Sequence, residues 1–266
     1  MVLARNRQEL ILESLRRNGG VRVSELVRKL GVSDVTIRRD IGELSRRGLA
    51  DRVHGGAALP EGSGGESGSP PSGTADRTAE RALGRLAATL VRPGSSIALS
   101  AGNATLEVAA AVRAVADLTV VTNSPAVAQL LHDPARPDRT VVLTGGTLNP
   151  AGALVGPLTA RTLAPLHVDL LFLPVHGFAA AAGLTGRDLA GVETDRALVA
   201  AAACTVVVAG SGRWGVVGLA SVAGWDEVGV VVSDEGLPPE ARNLLRGRLL
   251  LAEPDAPAPG TGGGTR

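Results

Sequence analysis

Cationic and small polar side chains cluster in residues 21–56, where Gly31 joins two short segments of helical apolar periodicity. The second segment carries the pair Arg38 and Arg39, and the glycine-tipped segment His54-Gly55-Gly56 follows it. Guanidinium groups on the outer face of a helix that fits the major groove can donate hydrogen bonds to guanine edges and to phosphate oxygens. The pattern is typical of a helix-turn-helix with a wing, and it predicts DNA binding.

The outer face of the second segment follows from its periodicity. At about 100° per residue, Ile37, Ile41 and Leu44 fall in one sector and are predicted to face the core. Val35 and Arg39 then lie on the opposite side, where an apolar side chain can meet a thymine methyl group. The residues predicted to contact DNA are Ser33, Val35, Thr36, Arg38, Arg39, Arg46, Arg52 and His54.

Three helices and a hairpin are predicted to position these side chains. Ser24 and Ser33 are the expected N-caps of the second and third helices, and Gly31 is expected to adopt a left-handed turn between them. The acidic residues of the third helix are expected to orient arginines or to support the fold. The helices are predicted at 5–18, 24–30 and 33–47, the wing strands at 49–53 and 57–59, and the acidic residues are Asp34, Asp40 and Glu43.

Charge divides the chain into a small basic part and a larger, mildly acidic part. Residues 1–60 have a net charge of +5 and residues 61–266 a net charge of −4, although the whole chain carries only +1. Apolar residues make up 44% of the sequence and aromatic residues only 2%, so the core must consist of Val, Leu and Ala. Such a core suits parallel strands covered by alanine-rich helices.

Several classes of protein are excluded by composition. Cys204 is the only cysteine, which rules out an internal disulfide and a cysteine-based zinc site. The sequence has no uncharged apolar run of about 18 residues, and its N-terminal residues lack the apolar region of a signal peptide. We therefore expect a soluble cytoplasmic protein with neither a metal nor a cofactor.

Segments rich in Pro, Gly and Ser separate the predicted domains, because such segments cannot bury enough apolar surface to fold. After the first of them, short apolar strands alternate with helices, one of them at 193–203, which predicts an α/β domain with a mostly parallel sheet covered on both faces. The expected organisation is a winged helix-turn-helix at 1–59, a flexible linker at 60–76, the α/β domain at 77–252 and a disordered tail at 253–266.

Loops rich in Gly, Ser, Thr and Asn follow four of the predicted strands. In parallel α/β sheets, small anions bind at the carboxyl ends of strands, where backbone amides are accessible. Arg213 adds a guanidinium that can bind a phosphate through two hydrogen bonds. The residues predicted to bind an anionic effector are Ser100, Gly102, Asn103, Thr105, Asn123, Gly145, Gly146 and Arg213.

These motifs resemble the DeoR-type transcriptional regulators. The resemblance rests on GVSDVTIRRD at 31–40, HGGA at 54–57, VVTNSPAVAQLL at 120–131 and VVLTGGTLNP at 141–150, and it extends to about residue 252. It implies a sensor domain similar in fold to ribose-5-phosphate isomerase and coenzyme A transferases. It also implies a repressor of carbohydrate metabolism genes that a phosphorylated sugar releases from double-stranded operator DNA. Since symmetric operators generally require a dimer, we expect a homodimer or homotetramer.

The sensor loops depart from the family pattern. The family's Asp-x-Gly-Thr-Thr is here the run that begins Ser100-Ala101-Gly102-Asn103-Ala104, and its Asp-x-Ser-Lys is here Gly210-Ser211-Gly212-Arg213. The lysine that often follows the Glu193 position is not evident. Because a carboxylate orients sugar hydroxyls, the loss of two acids leaves open whether the effector is a sugar phosphate, a different anionic metabolite, or absent.

Two alternatives to a ligand-responsive regulator stay open in the sequence. A similar fold supports isomerase chemistry, which needs a positioned base. None of the available acids and bases lies in a recognisable catalytic motif, so we expect no enzyme. The other alternative is a DNA-binding protein whose C-terminal domain senses nothing. The acids and bases in question are His176, Asp188, Glu193 and Asp195.

Overall fold

A computed structural model of the chain describes residues 4–18, 20–47, 49–53, 56–58 and 74–253. The chain divides into two compact units, Met1–Ser72 and Gly73–Arg266. Most of the linker predicted at 60–76 and of the tail predicted at 253–266 lies outside the described residues, as does His54. None of the described helices is long and apolar enough to cross a membrane.

The N-terminal unit is the predicted winged helix-turn-helix. Its core includes Ile37, Ile41 and Leu44, as the helical periodicity predicted, packed against Ile11 and Leu15. The third strand lies between the other two and is antiparallel to both. The elements are α1 (Ala4–Asn18), β1 (Gly20–Arg22), α2 (Val23–Leu30), α3 (Asp34–Arg46), β2 (Asp51–Val53) and β3 (Gly56–Ala58).

One of the two predicted N-caps is correct. Ser33 precedes α3, and its Oγ accepts a hydrogen bond from the backbone N–H of Thr36 at 3.4 Å. Gly31 adopts the predicted left-handed conformation, with φ of +64°. Ser24 is not an N-cap, because α2 begins directly after β1, at Val23, and Ser24 lies within the helix.

An ion pair with little exposure to solvent joins α1 to α3. Asp40 is 5% exposed and lies beside the apolar face of α3. Arg7 donates to it through Nε at 2.5 Å and through Nη2 at 3.2 Å, and Gln8 Nε2 donates at 3.5 Å. A buried carboxylate is tolerated only when it is paired and hydrogen-bonded, and Arg7 and Gln8 of α1 meet this requirement for Asp40.

The C-terminal unit contains a seven-stranded sheet in which every neighbouring pair is parallel, in the order β15-β14-β12-β9-β4-β5-β6. Its helices are α4 (Thr74–Ala88), α5 (Asn103–Ala111), α6 (Pro125–Leu131), α7 (Pro157–Leu163), α8 (Leu189–Ala200) and α9 (Pro239–Leu244). The sheet strands are β4 (Ser96–Leu99), β5 (Leu118–Thr122), β6 (Arg139–Leu143), β9 (Val168–Leu173), β12 (Ala202–Val208), β14 (Val230–Asp234) and β15 (Leu249–Ala252).

Successive side chains of the central strands enter two separate cores, one on each face of the sheet. Leu171 and Val207 belong to one apolar cluster, whereas Phe172 and Val206 belong to the other. Alternate residues of a strand point to opposite faces, so strands that are apolar at every position must be covered on both sides. The predicted doubly covered parallel sheet is therefore confirmed.

In the described part of the C-terminal unit, five short strands lie outside this sheet, and none of them was predicted from the sequence. The hairpin β7–β8 follows β6, and β11 lies between β10 and β13 in a small antiparallel sheet. These strands are β7 (Thr147–Leu148), β8 (Leu154–Val155), β10 (Gly177–Ala179), β11 (Gly183–Gly186) and β13 (Ala220–Ala223).

Helix α8 begins four residues before its predicted start at residue 193. Asp188 Oδ1 accepts a hydrogen bond from the N–H of Gly191 at 2.8 Å, which caps the helix at its N-terminus. This earlier start places Glu193 in the second turn, where it is exposed to solvent.

The order of the strands reverses between β4 and β9. From β4 the chain continues outward through β5 to β6, and it then returns to β9 on the opposite side of β4. Side chains join the two strands near their amino ends, where Asp169 accepts from Ser96 N at 2.7 Å and from Ser96 Oγ at 2.8 Å. In open α/β sheets, the crevice at such a reversal, beyond the carboxyl ends of the strands, is where ligands bind.

The Arg7–Asp40 pair predicts that removing Asp40 from α3 destabilises the N-terminal unit more than removing Glu43 does. Asp40→Ala removes a buried carboxylate that accepts hydrogen bonds from both Arg7 and Gln8, so we expect the N-terminal unit to lose about 1–3 kcal/mol of stability. Glu43→Ala removes an acid that pairs with Arg46 at the surface, and its effect should stay below about 1 kcal/mol. Hydrogen exchange of the α1 and α3 amides in the full chain measures both. Equal losses in the two variants would contradict a fold-supporting role for Asp40.

Candidate DNA-binding surface and effector site

The outward face of α3 presents one apolar and two cationic side chains. Val35 is 75% exposed, and Arg38 and Arg39 are both exposed. Arg38 is held by Asp34 one turn earlier, whereas within the described residues no acid lies in ion-pair contact with Arg39. Exposed ion pairs within one helix are weak, so a phosphate or a guanine edge can replace Asp34. The predicted DNA-contacting face of α3 is thus exposed.

The first turn of α3 offers hydroxyl groups beside its free backbone amides. Ser33 Oγ and Thr36 Oγ1 lie 2.8 Å apart, and Ser33 is exposed. The N-terminus of a helix of this length favours a phosphate oxygen. Arg46, near the C-terminus, is exposed and pairs with Glu43. Arg52 lies in β2 of the wing.

Ser100 and Asp195 meet in the crevice where the strand order reverses. Ser100 directly follows β4, and its Oγ donates to Asp195 Oδ1 of α8 at 2.9 Å. Burial raises the pKa of Asp195 to about 7, and the negative charge of Asp188 also raises it. The hydrogen bond from Ser100 acts in the opposite direction and lowers this pKa. Near neutral pH this carboxyl can therefore either donate or accept a hydrogen bond. Sequence reasoning did not place Asp195 in the site, because 95 residues separate it from Ser100.

Two of the predicted effector residues hold the loops together instead of facing outward. Thr105 is fully buried, and its Oγ1 lies 2.6 Å from the carbonyl of Ser100 and 3.0 Å from that of Gly102. Asn123 is 2% exposed, accepts from Ala101 N at 2.9 Å and donates to the carbonyl of Leu154 at 3.2 Å. These side chains shape the crevice and are not available to contact a ligand.

Asn103 lies at the start of α5, and its side chain points towards a neighbouring helix. Its Nδ2 donates to Glu80 Oε1 of α4 at 3.4 Å. Gly102 is the residue before the helix, and its carbonyl accepts the hydrogen bond from Leu106 N at 2.9 Å. The side-chain amide of Asn103 is thus engaged by α4.

The glycine loop after β6 is anchored to α7. Thr159 Oγ1 donates to the carbonyl of Gly145 at 2.7 Å, and a Cβ at Gly146 would come within 2.2 Å of that Oγ1. Strands lie about 4.8 Å apart, so the end of β6 is about 19 Å from the end of β12, which precedes Arg213. The structure thus does not bring Gly145 and Gly146 together with Arg213 on neighbouring strands.

Arg213 lies on the other side of the reversal, in a short 3₁₀ turn after β12 (Ser211–Arg213). Asp234, at the end of β14, accepts from Ser211 N at 2.8 Å and from Gly236 N at 2.8 Å. Burial by itself would raise the pKa of Asp234, but these hydrogen bonds lower it overall. A stable carboxylate thus fixes the turn that carries Arg213.

Two further basic side chains accompany Arg213. Burial lowers the pKa of His176 to about 4, and the charges of Arg187 and Arg213 lower it as well. Burial lowers the pKa of Arg187 too, and the charge of Arg213 adds to this effect. Among the described residues, no carboxylate lies in ion-pair contact with His176 or Arg187. Sequence reasoning did not include either of them among the effector contacts.

Comparison with known proteins places both units in one family. A model described as the DeoR-like helix-turn-helix domain matches residues 7–62, and one described as the DeoR C-terminal sensor domain matches residues 76–235. The chain belongs to the DeoR family of transcriptional regulators. Its domains are those of DNA-binding regulators, not of enzymes.

Curated relatives align with this DeoR-family chain over almost their full length. The HTH-type transcriptional regulator YgbI of Escherichia coli is 32% identical over 90% of this chain and 93% of its own. GlpR of Haloferax volcanii is 32% identical over 92% of this chain and 95% of its own. The glycerol-3-phosphate regulon repressor of E. coli is 29% identical over 88% of this chain and 92% of its own.

Among solved structures, ribose 5-phosphate isomerase A of Neisseria gonorrhoeae matches 52% of this chain and 53% of its own, with 14% identity and a TM-score of 0.38. That partial likeness carries no functional argument.

The exposed face of α3 predicts which substitutions in this DeoR-family protein weaken DNA binding. If the side chains of Arg38 and Arg39 contact guanine edges, Arg38→Ala and Arg39→Ala should each lose about 1–3 kcal/mol of DNA-binding free energy. Arg46→Ala should weaken binding to all DNA sequences equally and should reduce the salt dependence of binding by about one phosphate contact. Arg246→Ala, in the C-terminal unit, is the control. Gel-shift titrations on a site selected by the wild-type protein from random DNA measure these effects. If both Arg38→Ala and Arg39→Ala bind DNA with wild-type affinity, these two arginines do not contribute to the DNA interface.

The buried carboxyl predicts an unusual dependence of stability on pH. Since folding raises the pKa of Asp195 from 3.8 to about 7, the folded chain binds this proton more tightly than the unfolded chain does between those values. The resulting stability is fully present below the unfolded pKa and is lost as the pH rises through about 7. Asp195→Asn should therefore gain Tm relative to the wild type as the pH rises through this window. A Tm difference that does not vary with pH would contradict the assignment.

Proposed function

We propose that this regulator represses genes of carbohydrate metabolism and that an anionic metabolite, most simply a phosphorylated sugar or sugar derivative, releases it from DNA. The observation that supports the proposal is the reversal of strand order between β4 and β9: Ser100 and Asp195 are hydrogen-bonded just beyond β4, and Arg213 lies in the turn after β12, the strand next to β9. One relative is the glycerol-3-phosphate regulon repressor of E. coli, which supports a link to carbohydrate genes.

Release requires the metabolite to distinguish two states of the protein. A ligand with equal affinity for the DNA-bound and the free arrangement would shift nothing, however tightly it bound. We infer that the effector favours an arrangement in which the spacing of two winged helices no longer matches a symmetric operator. Binding to a symmetric operator itself requires two winged helices, and therefore a homodimer or homotetramer.

The effector contacts in this proposal are narrower than the sequence suggested. Gly102 lies in the loop after β4, and Arg213 lies in the turn after β12, the strand next to β9. Ser100, Thr105 and Asn123 are buried and already hydrogen-bonded, so we infer that they shape these loops. Gly145 and Gly146 follow β6, four strands from β12, and are not among the contacts proposed for the ligand.

The proposal predicts that Arg213→Ala loses the response to effector but keeps DNA binding. Thermal-shift screening of the full chain against phosphorylated sugars and polyols identifies a ligand, and an excess of 100 times Kd should add about 2.7 kcal/mol of stability. Gel shifts with and without that ligand then compare the wild type with the variant. If no phosphorylated compound changes the DNA affinity of the wild type, the proposed function fails. An unchanged ligand affinity in Arg213→Ala would remove that residue from the site.

A further inference from the structure

Helix α8 exposes a narrow stripe of side chains along its whole length. At about 100° per residue, four residues fall within one sector of this helix: Leu189, Glu193, Arg196 and Ala200. All four are exposed, and the side chain of Leu189 is 61% exposed. The opposite side of α8 is buried, since Leu198 belongs to one of the two apolar cores of the C-terminal unit. The stripe therefore takes no part in the packing of this core.

The two charged side chains of the stripe are available for contacts outside the fold. Glu193 and Arg196 are about one turn apart, yet neither forms an ion pair or a side-chain hydrogen bond within the described part of the chain. In α3, by contrast, Arg38 and Arg46 each pair with an acid of their own helix. An acid and a base on one exposed face can both be paired by a partner that presents the same two charges.

The four residues of the stripe are arranged symmetrically about the middle of the helix. Because α8 spans Leu189–Ala200, its midpoint lies between residues 194 and 195. Glu193 and Arg196 are equally far from this point, and so are Leu189 and Ala200. When a second α8 packs antiparallel across a twofold axis at the midpoint, each Glu193 meets the partner's Arg196. The same axis places each leucine opposite an alanine.

The chemistry of this face favours a second copy of the chain over another kind of partner. One acid and one base leave the stripe without net charge, so it does not match a polyanion such as DNA. Ala190 and Ala197 flank the stripe, and small side chains there allow two helix axes to approach closely. A helix-turn-helix regulator that reads a symmetric operator also needs a twofold axis between its subunits.

We propose that two copies of this chain associate through α8, packed antiparallel about a twofold axis at the midpoint of the helix, with two Glu193–Arg196 ion pairs across the interface. This inference rests on the proposed function for the expectation of a homodimer or homotetramer, and it names the surface at which two subunits meet. The same helix carries Asp195, whose hydrogen bond with Ser100 lies on a different side. The interface and the crevice thus share one helix.

The test is a charge exchange, read by analytical ultracentrifugation of the full chain over a wide concentration range. Arg196→Glu and Glu193→Arg each create two like-charge contacts across the interface, so each should raise the dissociation constant by about tenfold or more. In a homotetramer, loss of this contact should leave dimers. The double variant restores two opposite-charge pairs with the roles exchanged, and it should associate as the wild type does.

Two controls separate this interface from a general effect of charge or folding. Arg246→Glu makes the same change of charge at an exposed position before the amino end of β15, and it should leave association unchanged. The double variant has the net charge of the wild type. Because residues 193 and 196 are exposed, circular dichroism should show the wild-type helix content in every variant.

DNA binding supplies a second measurement of the same contact. In gel shifts on a symmetric site selected by the wild type, each single variant should need a higher protein concentration to occupy the site, because two winged helices must first associate. The double variant should recover the wild-type concentration dependence. None of the substituted residues lies in the winged helix, so this recovery measures association and not base contacts.

The outcomes separate this inference from the proposed function. A monomeric wild type, or association that neither single variant weakens, overturns the α8 interface, and so does a double variant that dissociates as readily as the single ones. If the charge exchange restores association but no phosphorylated compound changes DNA affinity, the interface stands and the proposed function fails. If such a compound releases the wild type from DNA while the single variants associate as the wild type does, the proposed function stands without this interface.

Discussion

Parallel pairing of β4 with β9 determines where a small molecule can bind in the C-terminal unit. The chain leaves this pair in opposite directions across the sheet, so the loops after β4 and β9 diverge and leave a crevice between them. Asp169 and Ser96 fix the two strands at their amino ends, and Ser100 and Asp195 meet beyond the carboxyl ends. Each further strand moves a loop about 4.8 Å away, so the proposed effector contacts are those in the loops nearest to this pair.

Electrostatics divides the same crevice into two halves. On the α8 side, burial raises the pKa of Asp195 to about 7, and Ser100 is its hydrogen-bond partner. On the β12 side, the charge of Arg213 disfavours the charge of Arg187 and a proton on His176. Under the proposed function, an anionic group of the ligand would lie on the β12 side and its hydroxyl groups on the α8 side.

Most of the fold could be predicted from the sequence, because its signals are local. The core positions of α3 follow from the helical period, and the strands of the large sheet are apolar runs between turn residues. The small strands escaped prediction, since GFA at 177–179 and GLTG at 183–186 have neither alternation nor length. The start of α8 was misplaced because the N-cap, Asp188, was not recognised as one.

The side-chain contacts of the candidate site could not be predicted, for a different reason. Its decisive contacts are long-range, as in the pair Ser100–Asp195, and no period or spacing encodes which helix reaches which loop. Buried polar residues such as Thr105 and Asn123 have the same residue types as ligand contacts, and only their hydrogen bonds distinguish the two roles. His176 and Arg187 flank strands of the small sheet, which the sequence did not reveal.

The same long-range contacts change the meaning of the departures from the family pattern. A carboxylate is missing at Ser100, yet Asp195 brings one to the hydroxyl of that serine from α8. An acid is also missing from the turn before Arg213, yet Asp234 accepts the N–H of Ser211 from the end of β14. Both carboxyl groups are thus present in space although they are absent from the motifs. The two departures from the family motifs therefore do not by themselves exclude a sugar phosphate as the ligand.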